Sequence, residues 1–285
     1  MQLRCGERTL DLDRSAHPPV VMGILNVTPD SFSDGGRFDA IPEALAHARA
    51  MVSAGARIID VGGESTRPGA PAVGEEQELE RVLPVIEALA AELDVVLSVD
   101  TCKPAVMRAA VASGAGLIND VRALREPGAM HAAADLAVPV CLMHMRGRPA
   151  DMQSAPAYTD VVREVLGFLD EQREAAVRAG VAADRLLFDP GFGFGKRPEH
   201  NLALFDALER FCARAPVLVG VSRKRMIGDL LGDDQADRTI GSVSAALVAA
   251  TRGAAILRVH DVAQTVQALA VQHRLEAHRR DTGLD

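Results

Sequence analysis

Short apolar runs, each ending in a polar residue or cluster and each followed by a segment of helical periodicity, recur along the whole chain. The runs cover residues 20–25 before Asn26, 58–61 before Gly62-Gly63-Glu64-Ser65-Thr66-Arg67, 95–99 before Asp100, and 117–118 before Asn119-Asp120. They continue with 138–143 before His144, 186–188 before Asp189, 217–221 before Ser222-Arg223-Lys224, and 255–257 before Arg258-Val259-His260. Runs of this length without internal alternation, rich in Val and Ile, fit strands buried on both faces.

The intervening segments predict helices. Residues 42–53 open on Pro42, tolerated in a first helical turn, stop at Gly55, and align Leu45, Ala48, Met51 and Val52 on one stripe. Residues 75–92 are acidic at the start, as the helix dipole favours, and align Leu79, Val82, Leu83 and Ile86. Pro84 inside that segment is expected to kink or interrupt it. Further helices are expected over 104–112, 160–179, 199–210, 238–251 and 262–273, with a broken one over 121–137 that contains Pro127-Gly128.

Strands alternating with helices predict parallel crossovers, and eight is the number that closes a ring. The expected fold is an α/β protein, a (β/α)8 TIM barrel, with residues 1–285 forming a single domain. An open doubly wound sheet is the alternative arrangement. In a barrel the C-terminal mouth carries the chemistry. Asn26, Thr66, Asp100, Asn119, His144, Asp189, Lys224, Arg258 and His260, each just past an apolar run, would then converge on one rim.

Composition narrows the function classes. A formal charge of −8 disfavours a nucleic-acid backbone as partner, and 3% aromatics with no Trp leaves little for stacking on single strands. Cys5, Cys102, Cys141 and Cys212 form no CxxC pair and read as reduced thiols. The N-terminal MQLRCGERTL lacks a signal-peptide pattern, and no run reaches the ~20 apolar residues of a membrane helix. The expectation is a cytoplasmic protein with no membrane partner.

Each polar position also has a purely structural reading. Asp100, before Thr101 and Lys103-Pro104, could cap the next helix. Asn119 and Asp120 could be turn formers, as could Asp189-Pro190-Gly191, although a carboxylate directly after a buried strand is expensive without a partner. Arg258 and His260 alternate along one strand and point the same way, which suits a ligand or a salt bridge closing the barrel. His144 suits a satisfied rim histidine, and Cys102 and Cys141 suit core filler. Asp30-Ser31-Phe32-Ser33-Asp34-Gly35 begins like a calcium loop, but Phe32 and Ile41 occupy ligand positions. Gly191–Lys196 looks like a phosphate loop, yet Pro190 and Arg197 break the Walker A pattern.

Together the motifs resemble the dihydropteroate synthase family. Met22-Gly23-Ile24-Leu25-Asn26-Val27-Thr28-Pro29-Asp30-Ser31-Phe32-Ser33-Asp34-Gly35-Gly36 is similar to its first signature, and Asp60-Val61-Gly62-Gly63-Glu64-Ser65-Thr66-Arg67-Pro68-Gly69-Ala70 to its second. Ser98-Val99-Asp100-Thr101, Ile118-Asn119-Asp120, Asp189-Pro190-Gly191-Phe192-Gly193-Phe194-Gly195-Lys196, Gly220-Val221-Ser222-Arg223-Lys224 and Arg258-Val259-His260-Asp261 follow in family order. One departure is Arg146, where many members carry Gln.

The resemblance implies condensation of (7,8-dihydropterin-6-yl)methyl diphosphate with p-aminobenzoate, giving 7,8-dihydropteroate and diphosphate in tetrahydrofolate biosynthesis. It assigns the pterin ring to Asp100, Asn119 and Asp189, with Lys224 near the ring's carbonyl and bridging nitrogen, and Met143 and Arg258 on its faces. It assigns the diphosphate to Thr66, Arg258, Val259 and His260, and Mg2+ to Asn26. The candidates for the p-aminobenzoate pocket are Thr66, Arg67, Pro68, Phe194 and Ser222. Asp100, Asp189, Lys224, Arg258 and His260 are the expected catalytic set. Two loops, 28–37 and 66–74, resemble family loops that close over the site, and the family is commonly homodimeric through late helices. A pterin-binding methyltransferase barrel would share the ring contacts but lack the diphosphate set. A silent scaffold homologue would have lost a signature residue.

Overall fold

The structure, a computed structural model, describes residues 1–28, 40–65, 69–147, 152 and 156–282. Two antiparallel strands open the chain, β1 (Gln2–Cys5) and β2 (Arg8–Asp11). Eight strands follow: β3 (Val20–Asn26), β4 (Ile58–Gly62), β5 (Val96–Asp100), β6 (Leu117–Asp120), β7 (Val140–Met143), β8 (Leu186–Asp189), β9 (Leu218–Val219) and β10 (Ile256–Val259). Their order is β8-β7-β6-β5-β4-β3-β10-β9, with the paired neighbours parallel. A parallel bridge between Phe188 and Val217 joins the two ends of that order and closes the ring. The chain is a (β/α)8 TIM barrel, and the open-sheet alternative falls with that bridge.

Alternation along the strands separates two cores. Outward residues such as Val21, Ile59, Val61, Leu97, Val99, Leu257 and Val259 pack with helix residues Val82, Ile86 and Met107. Inward residues Met22, Ile58, Val96, Leu117, Cys141, Leu187, Leu218 and Ile256 form a second cluster with Leu3, Cys5, Leu10 and Leu12 of the N-terminal hairpin segment. The hairpin therefore plugs the barrel at the N-terminal ends of the strands, leaving the opposite mouth for polar groups. Gly116 permits this approach, since a Cβ there would lie 2.6 Å from the Cys5 carbonyl oxygen.

The helices are α1 (Ala40–Ser53), α2 (Glu75–Glu92), α3 (Pro104–Ala112), α4 (Ala129–Leu136), α5 (Val161–Arg178), α6 (Pro198–Asp206), α7 (Leu208–Cys212), α8 (Arg225–Leu231), α9 (Thr239–Thr251) and α10 (Val262–Thr282). Several differ from expectation. α2 runs unbroken through Pro84, because Val82, Val85, Ile86 and Leu89 are buried on either side of it and packing outweighs one lost backbone bond. The segment expected over 121–137 is helical only as α4, where Ala123 and Leu124 at positive φ and Gly128 keep its first half in turns. The expected 199–210 helix divides at Ala207, α8 was not anticipated, and α10 extends beyond residue 273.

Candidate active site

Asp100, Asn119 and Arg258 meet at the C-terminal mouth. Parallel pairing makes Asp100 and Asn119 Cα partners on β5 and β6. From β10, Arg258 Nη2 donates to Asp100 Oδ2 at 2.8 Å, and its Nε donates to Asp60 Oδ2 at 2.6 Å. Asn119 Nδ2 donates to the same Asp60 oxygen at 3.0 Å. Asp60, fully buried on β4, is a residue of this network that the sequence reading leaves without a role. The signal was present: a carboxylate in the middle of an apolar strand run needs a cation or a purpose. The salt-bridge reading of Arg258 and its placement in the mouth are therefore both realised.

The structural alternatives resolve residue by residue. Asp100 does not cap α3, whose N-cap is Lys103. Asp120 is the turn former, accepting from the backbone N–H of Arg122 and of Leu124, both at 2.7 Å, while its neighbour Asn119 turns into the barrel. Asp189 too is a turn former, since its Oδ1 accepts from Gly191 N at 2.7 Å at the end of β8. Burial raises the Asp189 carboxyl, opposed by Lys224 and by that N–H. Asp100 is pushed up to about 7 by burial, against the pull of Arg258 and with a push from Asp60. Burial lowers Lys224 to about 8, against the pull of Asp189.

Lys224 follows β9 and donates to Phe192 O at 2.7 Å, with its ammonium 4.4 Å from the Phe194 ring centre. Lys224 and Arg258 both border Gly220, where a Cβ would lie 4.0 Å from Lys224 Nζ and 3.9 Å from Arg258 Cδ. Phe194 packs with Met143, Met145 and Met152 in a small apolar cluster, so Met143 and Phe194 share one wall. Ser222 Oγ accepts from His260 N and lies 3.1 Å from His260 Nδ1, tying the β9 and β10 ends together. Asn26 ends β3 on the inward register, and a Cβ on Gly62 would lie 3.9 Å from Asn26 Oδ1 and 3.7 Å from Asp100 Oδ2.

Other residues singled out in the sequence face away from the mouth or lie outside the described residues. The Val259 side chain is buried in the outer core, so only its backbone faces the mouth. Thr66, Arg67 and Pro68 lie outside the described residues, as do 29–39 of the first loop and the calcium-like motif. His144 packs behind the rim, its Nδ1 3.0 Å from Lys196 Nζ, and burial with that neighbouring lysine lowers it to about 2. Lys196 does not reach outward as a phosphate-loop lysine would. It folds back onto the carbonyls of Gly191 (2.8 Å), Phe194 (3.1 Å) and His144 (3.3 Å). Gly191 (φ +70) is required there, because a Cβ would lie 1.9 Å from His144 O. Arg146 sits over the Tyr158 ring at 4.8 Å and 3.3 Å from Glu164, held on the α5 side. Cys141 is buried and Cys102 half-buried, with burial raising both thiols.

A closed barrel whose C-terminal mouth gathers the buried carboxylates Asp60, Asp100 and Asp189 with the Asn119 amide, Lys224 and Arg258 has the make-up of an enzyme site for a small molecule. The model of the pterin binding enzyme family matches residues 22–260. The dihydropteroate synthase of Escherichia coli (strain K12) is 53% identical over 272 residues, spanning 95% of either chain. The structure of Xanthomonas albilineans dihydropteroate synthase with 4-aminobenzoic acid is 55% identical, covers 97% of this chain and 99% of its own, and superposes with a TM-score of 0.90. The same enzyme with 7,8-dihydropteroate gives 52% identity, the same 97% coverage of this chain, 99% of its own, and a TM-score of 0.86. The chain belongs to the pterin-binding enzyme family and, within it, to the dihydropteroate synthases.

Proposed function

We propose that this mouth joins (7,8-dihydropterin-6-yl)methyl diphosphate to p-aminobenzoate, releasing diphosphate and 7,8-dihydropteroate for tetrahydrofolate biosynthesis. The observation that carries the reading is the Arg258–Asp60–Asn119 and Arg258–Asp100 network, which presets the ring-facing groups. With Nδ2 committed to Asp60, Asn119 offers its carbonyl oxygen and one remaining N–H to the ring edge. With Oδ2 committed to Arg258, Asp100 offers Oδ1 to a ring N–H. Asp189, bound to Gly191 N through Oδ1, offers Oδ2 in the same way. Lys224 donates towards the ring carbonyl side, and Met143 lines a ring face.

Loss of diphosphate leaves positive charge on the pterin-methyl group. Asp100 and Asp189 are held where charge spreads, at no reorganisation cost during the step. Arg258 and His260 face the departing anion, with Val259 contributing backbone. The neutral arylamine then attacks carbon and loses its proton, so no activated serine or cysteine is needed. Phe194, Ser222, Thr66, Arg67 and Pro68 are the proposed arylamine contacts. Asn26 fits magnesium as a single hard amide oxygen beside the Asp100 carboxylate. An ion held there would take most of its ligands from substrate phosphate and water, as magnesium commonly does. Magnesium bound there would neutralise charge on the leaving diphosphate.

A second copy of the chain is the proposed partner. Ile240 and Val248 on α9 and Val271 and Leu275 on α10 are exposed apolar side chains on two helices that pack together. The cytoplasm is the proposed compartment, supported by four free cysteines. Among the described residues no helix is long and apolar enough to cross a membrane. Diphosphate release measured with and without p-aminobenzoate tests the reaction. Dependence on the arylamine is expected, whereas pterin binding without turnover would point to a scaffold.

A further inference from the structure

Behind the rim lies a buried ammonium that the proposed reaction does not use. Lys196 is 3% exposed, and among the described residues its Nζ bonds neutral groups only. These are Gly191 O at 2.8 Å, Phe194 O at 3.1 Å, His144 O at 3.3 Å and His144 Nδ1 at 3.0 Å. Four acceptors satisfy the three N–H donors of an ammonium. Asp189 attracts the charge through space. Taking a cation out of water with no carboxylate bonded to it is costly all the same, and a Met of similar length would fill the space without that penalty. Filling the core does not account for the charge.

The loop gripped by Lys196 does. Residues 190–197 join β8 to α6, and Gly191, Gly193 and Gly195 all stand at positive φ (+70°, +81° and +62°). Glycines permit such a path but do not select it, because each populates other regions as readily. Selection falls to bonds onto the loop's carbonyls. Lys196 takes Gly191 O and Phe194 O, the two ends of the turn that Phe194 N closes onto Gly191 O at 3.1 Å. That turn presents two groups to the mouth. Gly191 N donates to Asp189 Oδ1 at 2.7 Å, and Phe192 O accepts from Lys224 Nζ at 2.7 Å. Two lysines thus hold one loop, Lys196 from behind the rim and Lys224 from the mouth.

We infer that Lys196 is a positioning residue for the pterin site: its ammonium fixes the three-glycine loop whose Gly191 N–H orients Asp189 and whose Phe192 carbonyl orients Lys224. This rests on the roles given above to Asp189 and Lys224. Lys196→Met removes the charge at nearly constant volume, and Lys196→Gln keeps two N–H donors. In diphosphate-release assays with the full chain, Lys196→Met should lower kcat/KM for the pterin diphosphate about thirtyfold, and calorimetric titration should show affinity for it about tenfold weaker. Lys196→Gln should recover part of both losses. Adding Lys196→Met to Asp189→Asn should reduce kcat/KM by less than it does alone, because both act through one contact. His144→Leu leaves all three carbonyl bonds in place and should stay within about threefold of the parent. Near-parent kinetics in a folded Lys196→Met protein, a Lys196→Gln protein no better than Lys196→Met, or additive losses would overturn the inference while leaving the reaction intact. So would failure of both Lys196 variants to fold, or a His144→Leu protein as impaired as Lys196→Met. Diphosphate release by the parent that ignores p-aminobenzoate would instead overturn the functional reading and this inference with it.

Discussion

Asp60→Asn isolates the charge beneath the site with almost no change of shape. Asp60 Oδ2 accepts from Arg258 Nε at 2.6 Å and from Asn119 Nδ2 at 3.0 Å inside a fully buried environment. An asparagine oxygen can keep both bonds but loses the charge, so each falls from the charge-assisted range of ~1.5–3 kcal/mol towards the neutral range of ~0.5–1.5 kcal/mol. The new NH2 would occupy the position of Asp60 Oδ1, which has no partner, leaving a buried donor unmade. The sum is about 2–4 kcal/mol of stability, or a melting-point drop of roughly 3–7 °C for a chain of this length. Catalysis should suffer separately. Among the described residues Arg258 would keep Asp100 as its ion-pair partner, and the Asp100 charge available to the pterin would be more fully neutralised. A loss of about 1.4–2.7 kcal/mol in transition-state stabilisation corresponds to a fall in kcat/KM of roughly ten- to a hundredfold. Calorimetric titration with the pterin substrate, steady-state kinetics and a thermal melt read the three effects independently. Wild-type pterin affinity and turnover in a folded Asp60→Asn protein would refute the positioning role of Asp60.

Turnover should rise with pH through about 7 as Asp100 ionises and decline above about 8 as Lys224 loses its proton. The stability contribution of Asp100 runs the other way: a carboxyl raised from 3.8 to about 7 favours folding fully below its unfolded value and loses that contribution as pH rises through 7. An Asp100→Asn variant that retains the acidic limb of the kcat profile would remove the assignment. Gly191→Ala puts a Cβ 1.9 Å from the His144 carbonyl at a positive φ, so urea unfolding should show a loss of about 3 kcal/mol or more, and a midpoint equal to the parent's would contradict that geometry. Changing Val271 and Leu275 together to Glu should halve the mass seen by sedimentation if these exposed residues meet a second copy; an unchanged mass would place that contact elsewhere.

Much of the barrel was legible because strand burial and helix periodicity are local signals. Eight apolar runs buried on both faces leave few architectures, and polar residues such as Asp100 and Asp189 directly after them mark the mouth. The same local reasoning misjudged α2, where Pro84 is a strong breaker but neighbouring side chains buried against the barrel outweigh it. It gave no warning of the N-terminal hairpin, whose Leu3, Cys5, Leu10 and Leu12 matter only because a barrel end needs filling.

The order of runs and motifs along the chain was enough to determine the fold class, the end of the barrel that carries chemistry, and the family. Which polar groups are partners was decided only in three dimensions. Asp60 and Arg258 stand 198 positions apart, and Asp100 and Arg258 158 apart, so no periodicity can connect them. The closing of the ring brings β4, β5, β6 and β10 around one floor, and in that water-poor space each buried charge takes its orientation from whichever opposite charge the strand register delivers. Tertiary packing likewise turned Lys196 inward onto carbonyls and drew the Val259 side chain into the outer core, because backbone acceptors and apolar neighbours there must be satisfied before any ligand arrives.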